Sequence, residues 1–557
     1  MKKLTKDLRF TPRKEQQNAL DFIAKYVRED KTKKFFLLDL PTGVGKSYLA
    51  MMISKWFMDN VNKNTKFDVL TCQKVLQKQY VDEFEAITNL WGSDNYQCSQ
   101  YSCSCKQGKE FNRLNKTKCD GCPYDDAKES FVSDKISMTN FHLYALYSLF
   151  RPDILETRGS DVLIVDEAHD IESIFSDFIS ISLTEMTIKK LKFNNNYQIT
   201  KALNKIKGIE DFVEFLQEFL INECSKSIGS LKRQMKSRDP KFTNRNLKLE
   251  ELVGDKGDAS QKKIIQAVND LESFLVKIEH FLEDYKKNPE NWVCEITPNK
   301  NDINDIKVEP IWSHPYLDKY IWSQYKYVIL MSGTILDKDM FSYLNGINGS
   351  EAVYYQIESP FEVKNRPIYY MPIGRMTYKD KQSTWQKYLP WIKKLMKKYQ
   401  NEKGIIHTNS FEFVGWMKKD VKDKRLLLHF ADKNKDMLLR THYISSTPTV
   451  LCSPSMTTGV DLADDRARFQ LMLKVPYPSL GSQKNKLRMK QHKDWYAWRT
   501  VATMIQMYGR AVRNYQDSAH FIILDGCFKD IMDYSSRFIP NYVKKAIKRV
   551  DVHKMKQ

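Results

Sequence analysis

No stretch of this 557-residue chain approaches the ~18 consecutive apolar residues of a membrane helix, so no span is expected. The start, Met1-Lys2-Lys3-Leu4-Thr5-Lys6-Asp7, is basic but lacks the apolar segment of a signal peptide, which points to an intracellular, cytoplasmic protein. Internal repeats and long low-complexity tracts are lacking too, which sets repeat architectures aside. Acidic residues are in deficit. With 69 Asp and Glu against 89 Lys and Arg, the net charge of +20 favours a polyanionic partner, nucleic acid before others, over an inert basic surface.

A hydrophobic content of 42% marks a globular chain, and the length exceeds one core, so about three to four domains are expected. Leu40-Pro41-Thr42-Gly43-Val44-Gly45-Lys46-Ser47 follows the apolar run Phe35-Phe36-Leu37-Leu38 and precedes a helical pattern over 48–60. Strand, glycine turn, Lys-Ser and helix form a phosphate-binding loop. Its glycines let backbone N–H groups approach phosphates, and the helix start favours anions. Thr42, Gly43, Val44 and Gly45 would cradle the nucleotide, Lys46 would reach its β/γ-phosphates, and Ser47 would hold Mg²⁺. A general loop of this kind has Gly at position 40; with Leu there, the loop resembles that of superfamily 2 helicases. Upstream, a helix is expected over 10–27, where Gln16, with Arg13 nearby, has the donor and acceptor that read adenine.

Downstream the motifs continue in order. Thr71, Leu76 and Gln79 match a helicase strand-to-helix turn that touches nucleic-acid phosphates. Five of the ten cysteines (Cys98, Cys103, Cys105, Cys119, Cys122) fall within 25 residues, which favours metal or cluster binding over disulfides. Cys98 and Cys119-x-x-Cys122 supply three ligands, and Cys103 and Cys105 compete to be the fourth. Spacing alone admits Zn²⁺ or an iron–sulfur cluster. Asp161-Val162-Leu163-Ile164-Val165-Asp166-Glu167-Ala168-His169 is a strand that ends on two carboxylates and an imidazole, a DEAH box. Asp166 would bind Mg²⁺ and Glu167 would orient and deprotonate water.

Residues 171–325 read as a helical insertion with apolar faces at 209–220 and 264–282 that pair as an antiparallel hairpin. The basic stretch 226–248 between them is either a strand-contacting surface or a solvated loop. Tyr327 to Thr334 is a strand ending in Ser-Gly-Thr, and the Pro-punctuated residues 359–367 lead into a second domain. That domain has strands at 404–407, 450–453, 469–475 and 521–524, with Thr457-Thr458-Gly459-Val460-Asp461 between. It also carries Gln506-Met507-Tyr508-Gly509-Arg510-Ala511-Val512-Arg513. Arg510 and Arg513 share a helix face at this spacing. Two guanidinium groups aimed at a γ-phosphate from another domain make an arginine-finger site, with Gln506 placed to position water.

Taken in order, these motifs resemble the XPD/DinG family of superfamily 2 iron–sulfur helicases. The carrying feature is placement: cysteines between the phosphate loop and the DEAH box, and an insertion between that box and Ser-Gly-Thr. The resemblance implies an α/β fold of two RecA-like domains with parallel sheets, plus an iron–sulfur domain and a helical Arch-like insertion in the first. The implied boundaries are 1–90, 128–175 and 323–345 for the first RecA-like domain, 91–127 for the cluster domain, 176–322 for the insertion and 346–557 for the second domain. It implies ATP, Mg²⁺ and a [4Fe–4S] cluster on Cys98, Cys105, Cys119 and Cys122, with Cys103 as the substitute for Cys105 and Zn²⁺ as the alternative. Asp461 becomes a nucleotide-site residue. The implied activity is ATP-driven 5′→3′ movement on single-stranded DNA with unwinding of forked DNA, by a monomer that meets replication or repair proteins. The short insertion resembles that of compact, virus-encoded members. The departures are Thr458 before Gly459, the extra cysteine, and Leu524-Asp525-Gly526-Cys527 in place of Asp-x-Arg. The rival expectations are a translocase or RNA remodeller that does not unwind DNA, and a nonenzymatic nucleic-acid-binding scaffold.

Overall fold

The computed structural model describes residues 2–8, 11–72, 74–115, 117–237, 258–431, 434–456 and 460–551. Phe10, the 238–248 part of the basic stretch and Thr457-Thr458-Gly459 lie outside the described residues.

The short apolar runs become the strands of two seven-stranded sheets, all parallel. In the first, the spatial order is Ala352–Gln356, Phe35–Asp39, Tyr327–Ser332, Val162–Asp166, Phe67–Thr71, Ile136–Asn140, Thr88–Leu90. Buried parallel strands need apolar residues on both faces. Phe35, Leu37, Leu163 and Leu330 pack into one layer, while Phe36, Leu38, Ile164 and Ile329 pack into the other. The second sheet runs Leu426–Leu428, Val450–Ser453, Gly404–His407, Phe469–Met472, His520–Asp525, Ile368–Gly374, Ile547–Arg549. The two-RecA-like α/β architecture is therefore present. Among the described residues no helix is long and apolar enough to cross a membrane.

Two expectations are corrected. The boundary at 345/346 falls too early, because Ala352–Gln356 pairs with Phe35–Asp39 at the edge of the first sheet. The passage between domains is therefore 357–367. The insertion is not wholly helical either. Ile181–Leu183, Asn304–Pro310 and Trp292–Pro298 form a three-stranded antiparallel sheet. Buried Ile306 and Val308 alternate with half-buried Asp305 and Lys307, a period of two that helical faces elsewhere in the segment had masked. The helical part follows expectation. Ile221–Ser237 packs on Asp258–Lys287, and the contacts Phe212–Phe281 and Lys232–Glu272 show that the two arms run in opposite directions.

Two buried polar knots brace the first sheet. Asp39, at the end of the loop-bearing strand, accepts from Leu336 N at 2.8 Å and from Tyr354 and Gln356 at 2.9 Å each. Leu336 has φ +63°, a strained conformation for a non-glycine residue that this bond supports. Arg158 is 1% exposed and pairs with Asp68 while donating to the carbonyls of Phe67 (2.7 Å), Asp134 (2.9 Å) and Phe131. Removing the cation would leave Asp68 charged in the core. Arg158→Leu is expected to cost about 3–5 kcal/mol in chemical denaturation, whereas Arg151→Ala, which breaks the exposed pair with Asp153, costs under about 1 kcal/mol.

Candidate active site

Parallel pairing sets Asp39 opposite Ser332, and Asp166 opposite Met331. The loop after Asp39, the DEAH turn and the Ser-Gly-Thr turn thus leave the sheet at one edge, where open α/β sheets bind ligands. Gly43 (φ +87°) and Gly45 (φ +83°) bend the loop into the left-handed region, and Lys46–Asn60 starts directly on it. Leu40, the departure from the general pattern, is fully buried in the core and its N–H reaches Ser332 O at 2.7 Å. It therefore ties the loop to the neighbouring strand. Val44 is also buried in the core.

Gln16 divides its amide between the start of its own helix and the loop, so in this structure both groups expected to read adenine are engaged. Its Oε1 accepts from Arg13 N at 2.9 Å and its Nε2 donates to Gly45 O at 3.0 Å. The Arg13 guanidinium donates to Gly43 O.

Lys46 Nζ meets Glu167 Oε1 at 3.1 Å. Burial works against the lysine's charge, but Glu167 and then Asp166 more than offset it and raise its pKa. Burial likewise pushes Glu167 up, yet Lys46 and then His169 hold it well below the ordinary carboxylate range. Asp166 goes the other way. Burial, aided by the Glu167 charge and opposed by Lys46, pushes it up to about 6. Tyr80 donates to Asp166 at 3.1 Å. Ser47 Oγ lies 3.5 Å from Glu83, in a cleft also lined by Asp166, Glu167 and Gln79. Ser47 and Asp166 supply the hard oxygen donors that suit Mg²⁺. Gln79, expected on the nucleic-acid side, faces this cleft and donates to Glu83 at 2.9 Å. His169 Nδ1 lies 2.8 Å from Ser332 Oγ and 3.3 Å from Glu167, so the imidazole joins the two turns.

The second domain closes the other side. Gln506 donates to Thr334 Oγ1 at 3.3 Å. The helix Lys493–Tyr508 ends at Gly509, so Arg510 and Arg513 do not share a helix face as the spacing suggested. Gly509 faces Thr42, whose side chain an added Cβ would meet at 3.4 Å, an ordinary contact, and the helix stops there. As a result the arginines part. Arg510 lines a cleft with Lys46, Glu167, His169 and Gln506, while Arg513 lines the cleft that holds Ser47, Gln16 and Asp166. The loop lies between them. Burial, and then repulsion from Arg513, pulls Arg510 down to about 10, so it stays charged at neutral pH. Asp461 pairs with Arg513 Nε at 3.4 Å and Arg466 at 3.3 Å, which places it behind the arginine.

The cysteines converge as well. Cys98, Cys103, Cys105 and Cys122 are buried together, with Cys119 against them. Cys105 and Cys122 are hydrogen-bonded neighbours, as are Cys119 and Cys98, and burial leads in pushing Cys105 and Cys119 up to about 11. Cys103 also bonds through its backbone to Tyr101 and Cys98. All five cysteines lie in this one cluster, a soft donor set in kind. Among the described residues no group of three or more His, Cys, Asp or Glu has donors already arranged around a metal position.

Some participants carried no sequence signal. Tyr80 and Glu83 lie one turn apart beyond the Thr71 motif and read as ordinary helix residues. Phe361 belongs to the interdomain passage, yet it packs so tightly on Gly43 that an added Cβ would lie 2.1 Å from its ring.

Two family descriptions match the chain: "Type III restriction enzyme, res subunit" over residues 9–201 and "Helicase C-terminal domain" over 392–545. A probable ATP-dependent helicase of Methanocaldococcus jannaschii is 21% identical, with 90% of each chain covered. Among solved structures, an XPD helicase superposes over 97% of this chain and 100% of its own, with TM-score 0.58 and 16% identity. Xpd4 of S. tokodaii superposes over 97% and 100%, with TM-score 0.54 and 13% identity. At these identities the likeness establishes the fold.

Gly43→Ala should lower affinity for an ATP analogue by at least ~10-fold in equilibrium titration, because the left-handed conformation and the Phe361 ring both oppose a side chain. Adding Phe361→Ala should restore only part of it, since the backbone strain remains.

Proposed function

We propose that the chain is an XPD-like, ATP-dependent superfamily 2 helicase that couples ATP hydrolysis to movement along single-stranded DNA and to unwinding of the duplex ahead. The observation that carries the reading is the split site: Lys46, Asp166 and Glu167 on one domain, Gln506, Arg510 and Arg513 on the other.

ATP would lie along the loop, its phosphates reaching Lys46. In this structure Lys46 keeps Glu167 strongly acidic. Once phosphate oxygens draw Lys46 away, Glu167 returns toward an ordinary carboxylate and accepts a proton from the attacking water, which Gln506 positions. Ser47 and Asp166 would hold Mg²⁺, which when bound would supply charge neutralisation at the phosphates. Arg510 and Arg513 stabilise charge on the transferring phosphoryl group from its two sides. Because they belong to the second domain, hydrolysis requires both domains in contact, and their reopening would advance each along the strand. The excess of 20 positive charges supports backbone-directed DNA binding. The 5′→3′ direction is what the XPD/DinG resemblance implies. Cys98, Cys105, Cys119 and Cys122 would hold the [4Fe–4S] cluster, which would pin a small domain beside the strand.

Lys46→Ala should reduce ATP turnover by roughly 10²–10³-fold while leaving salt-sensitive binding of single-stranded DNA largely intact. Undiminished turnover would overturn the site. In unwinding assays with both tail polarities, duplexes with a 5′ tail should open. Strand-stimulated hydrolysis without unwinding would favour the translocase reading. Protein purified without oxygen should be brown, with about four irons per chain, and Cys122→Ser should bleach it. A colourless protein with one zinc would replace the cluster.

A further inference from the structure

Away from the nucleotide, the two domains meet at a second polar contact, largely buried and lining a polar cavity. The helix Ile171–Ile179 follows the DEAH turn with only Ala168–Asp170 between, and Glu172 and Ser176 stand one turn apart on it. The second-domain helix Gln483–Gln491 faces it with Lys484, Arg488 and Gln491, spaced four and three apart on one side. Arg488 grips Glu172 with both terminal nitrogens, at 2.5 and 3.3 Å, and its Nε donates to Ile311 O at 2.5 Å. The guanidinium lies over the rings of Trp312 and Trp495, 4.8 and 5.4 Å from their centroids. Ser313 donates to Glu172 at 2.7 Å. Lys484 reaches Ser176 at 2.5 Å and Glu309 at 3.1 Å, and Gln491 accepts from Trp312 Nε1 at 2.5 Å.

Such a cluster is a poor way to add stability. Its charges lose their water, and an apolar contact of the same size holds as well or better. What a two-pronged guanidinium set against two indole rings supplies is geometry. The geometry here has an evident use. Glu172 lies five residues beyond Glu167. The helix holding Arg488 runs, after His492, into Lys493–Tyr508, the helix that carries Gln506 and ends just before Arg510. That second helix touches the Ser-Gly-Thr segment twice more, through Trp498 to Ile335 O at 3.0 Å and through Gln506 to Thr334. Both walls of the ATP cleft are thus rooted in one ion pair outside it.

We propose that Glu172 and Arg488 are positioning residues for ATP hydrolysis, setting the distance between Glu167 on one domain and Gln506 and Arg510 on the other; this rests on the ATP-site reading above. Neither residue lies in the nucleotide clefts, so substitutions should act on turnover and spare ATP affinity. With single-stranded DNA saturating, Glu172→Gln should lower kcat for ATP about 10-fold with KM changed less than about twofold. Arg488→Lys keeps the charge but loses the fork, and should do the same. The double variant should fall about 10-fold, not about 100-fold, because the two act as one unit. A kcat within twofold of the parent for either single variant, a KM that rises with the fall in kcat, or effects that multiply would each overturn the proposal. Failure of all three variants to fold would do so too, leaving a purely structural contact. Lys46→Ala tests the ATP site itself: retained turnover there defeats that reading, whereas abolished turnover beside a normal Glu172→Gln defeats only the positioning role.

Discussion

Everything at the active edge depends on neighbouring parallel strands ending level. Parallel pairing holds Phe35–Asp39, Tyr327–Ser332 and Val162–Asp166 in register. The phosphate loop, the Ser-Gly-Thr turn and the DEAH turn are therefore delivered to one line. Lys46 can meet Glu167 at 3.1 Å only because the strands behind them stop together. The same alignment lets His169 bond Ser332, and lets Asp39 reach across to the strained backbone at Leu336. The chemistry sits on loops, but its precision comes from sheet register.

The second domain meets this edge by threading small residues past it. Gly43 and Gly509 allow backbones from the two domains to approach, and Phe361 and Thr42 fill the space that remains. Ending the helix at Gly509 sends Arg510 and Arg513 to opposite sides of the loop, so the phosphates would be flanked and not merely capped. The Glu172–Arg488 contact makes this approach a two-point attachment, with the nucleotide cleft as one point and an ionic joint as the other.

Much of this was legible in the residues, for a physical reason. Buried parallel strands must be short continuous apolar runs, and phosphate loops need glycine where φ is positive, so both leave local marks. What escaped was set by tertiary context. The Ala352–Gln356 strand lies beyond the Ser-Gly-Thr turn and looks no different from a strand of the next domain until it pairs. The hairpin Trp292–Pro298 with Asn304–Pro310 hides in a segment whose helices dominate its periodicity. Arg510 and Arg513 at i and i+3 imply one face only if the helix continues, and Gly509 stops it. Tyr80, Phe361 and Arg488 have no motif because each works through a neighbour distant in the chain.

The strand order also governs how the protein is made. Phe35–Asp39, which carries the phosphate loop, pairs on its two sides with Tyr327–Ser332 and Ala352–Gln356 alone. Both partners leave the ribosome about three hundred residues after it, roughly 15–60 s later at ordinary elongation rates. During that interval this apolar strand lacks both sheet partners, while the cysteine segment and the whole insertion are synthesised. The insertion is thus also a delay line. Whatever shields that strand in the meantime, helix packing or a chaperone, decides the yield of native protein before any nucleotide is bound.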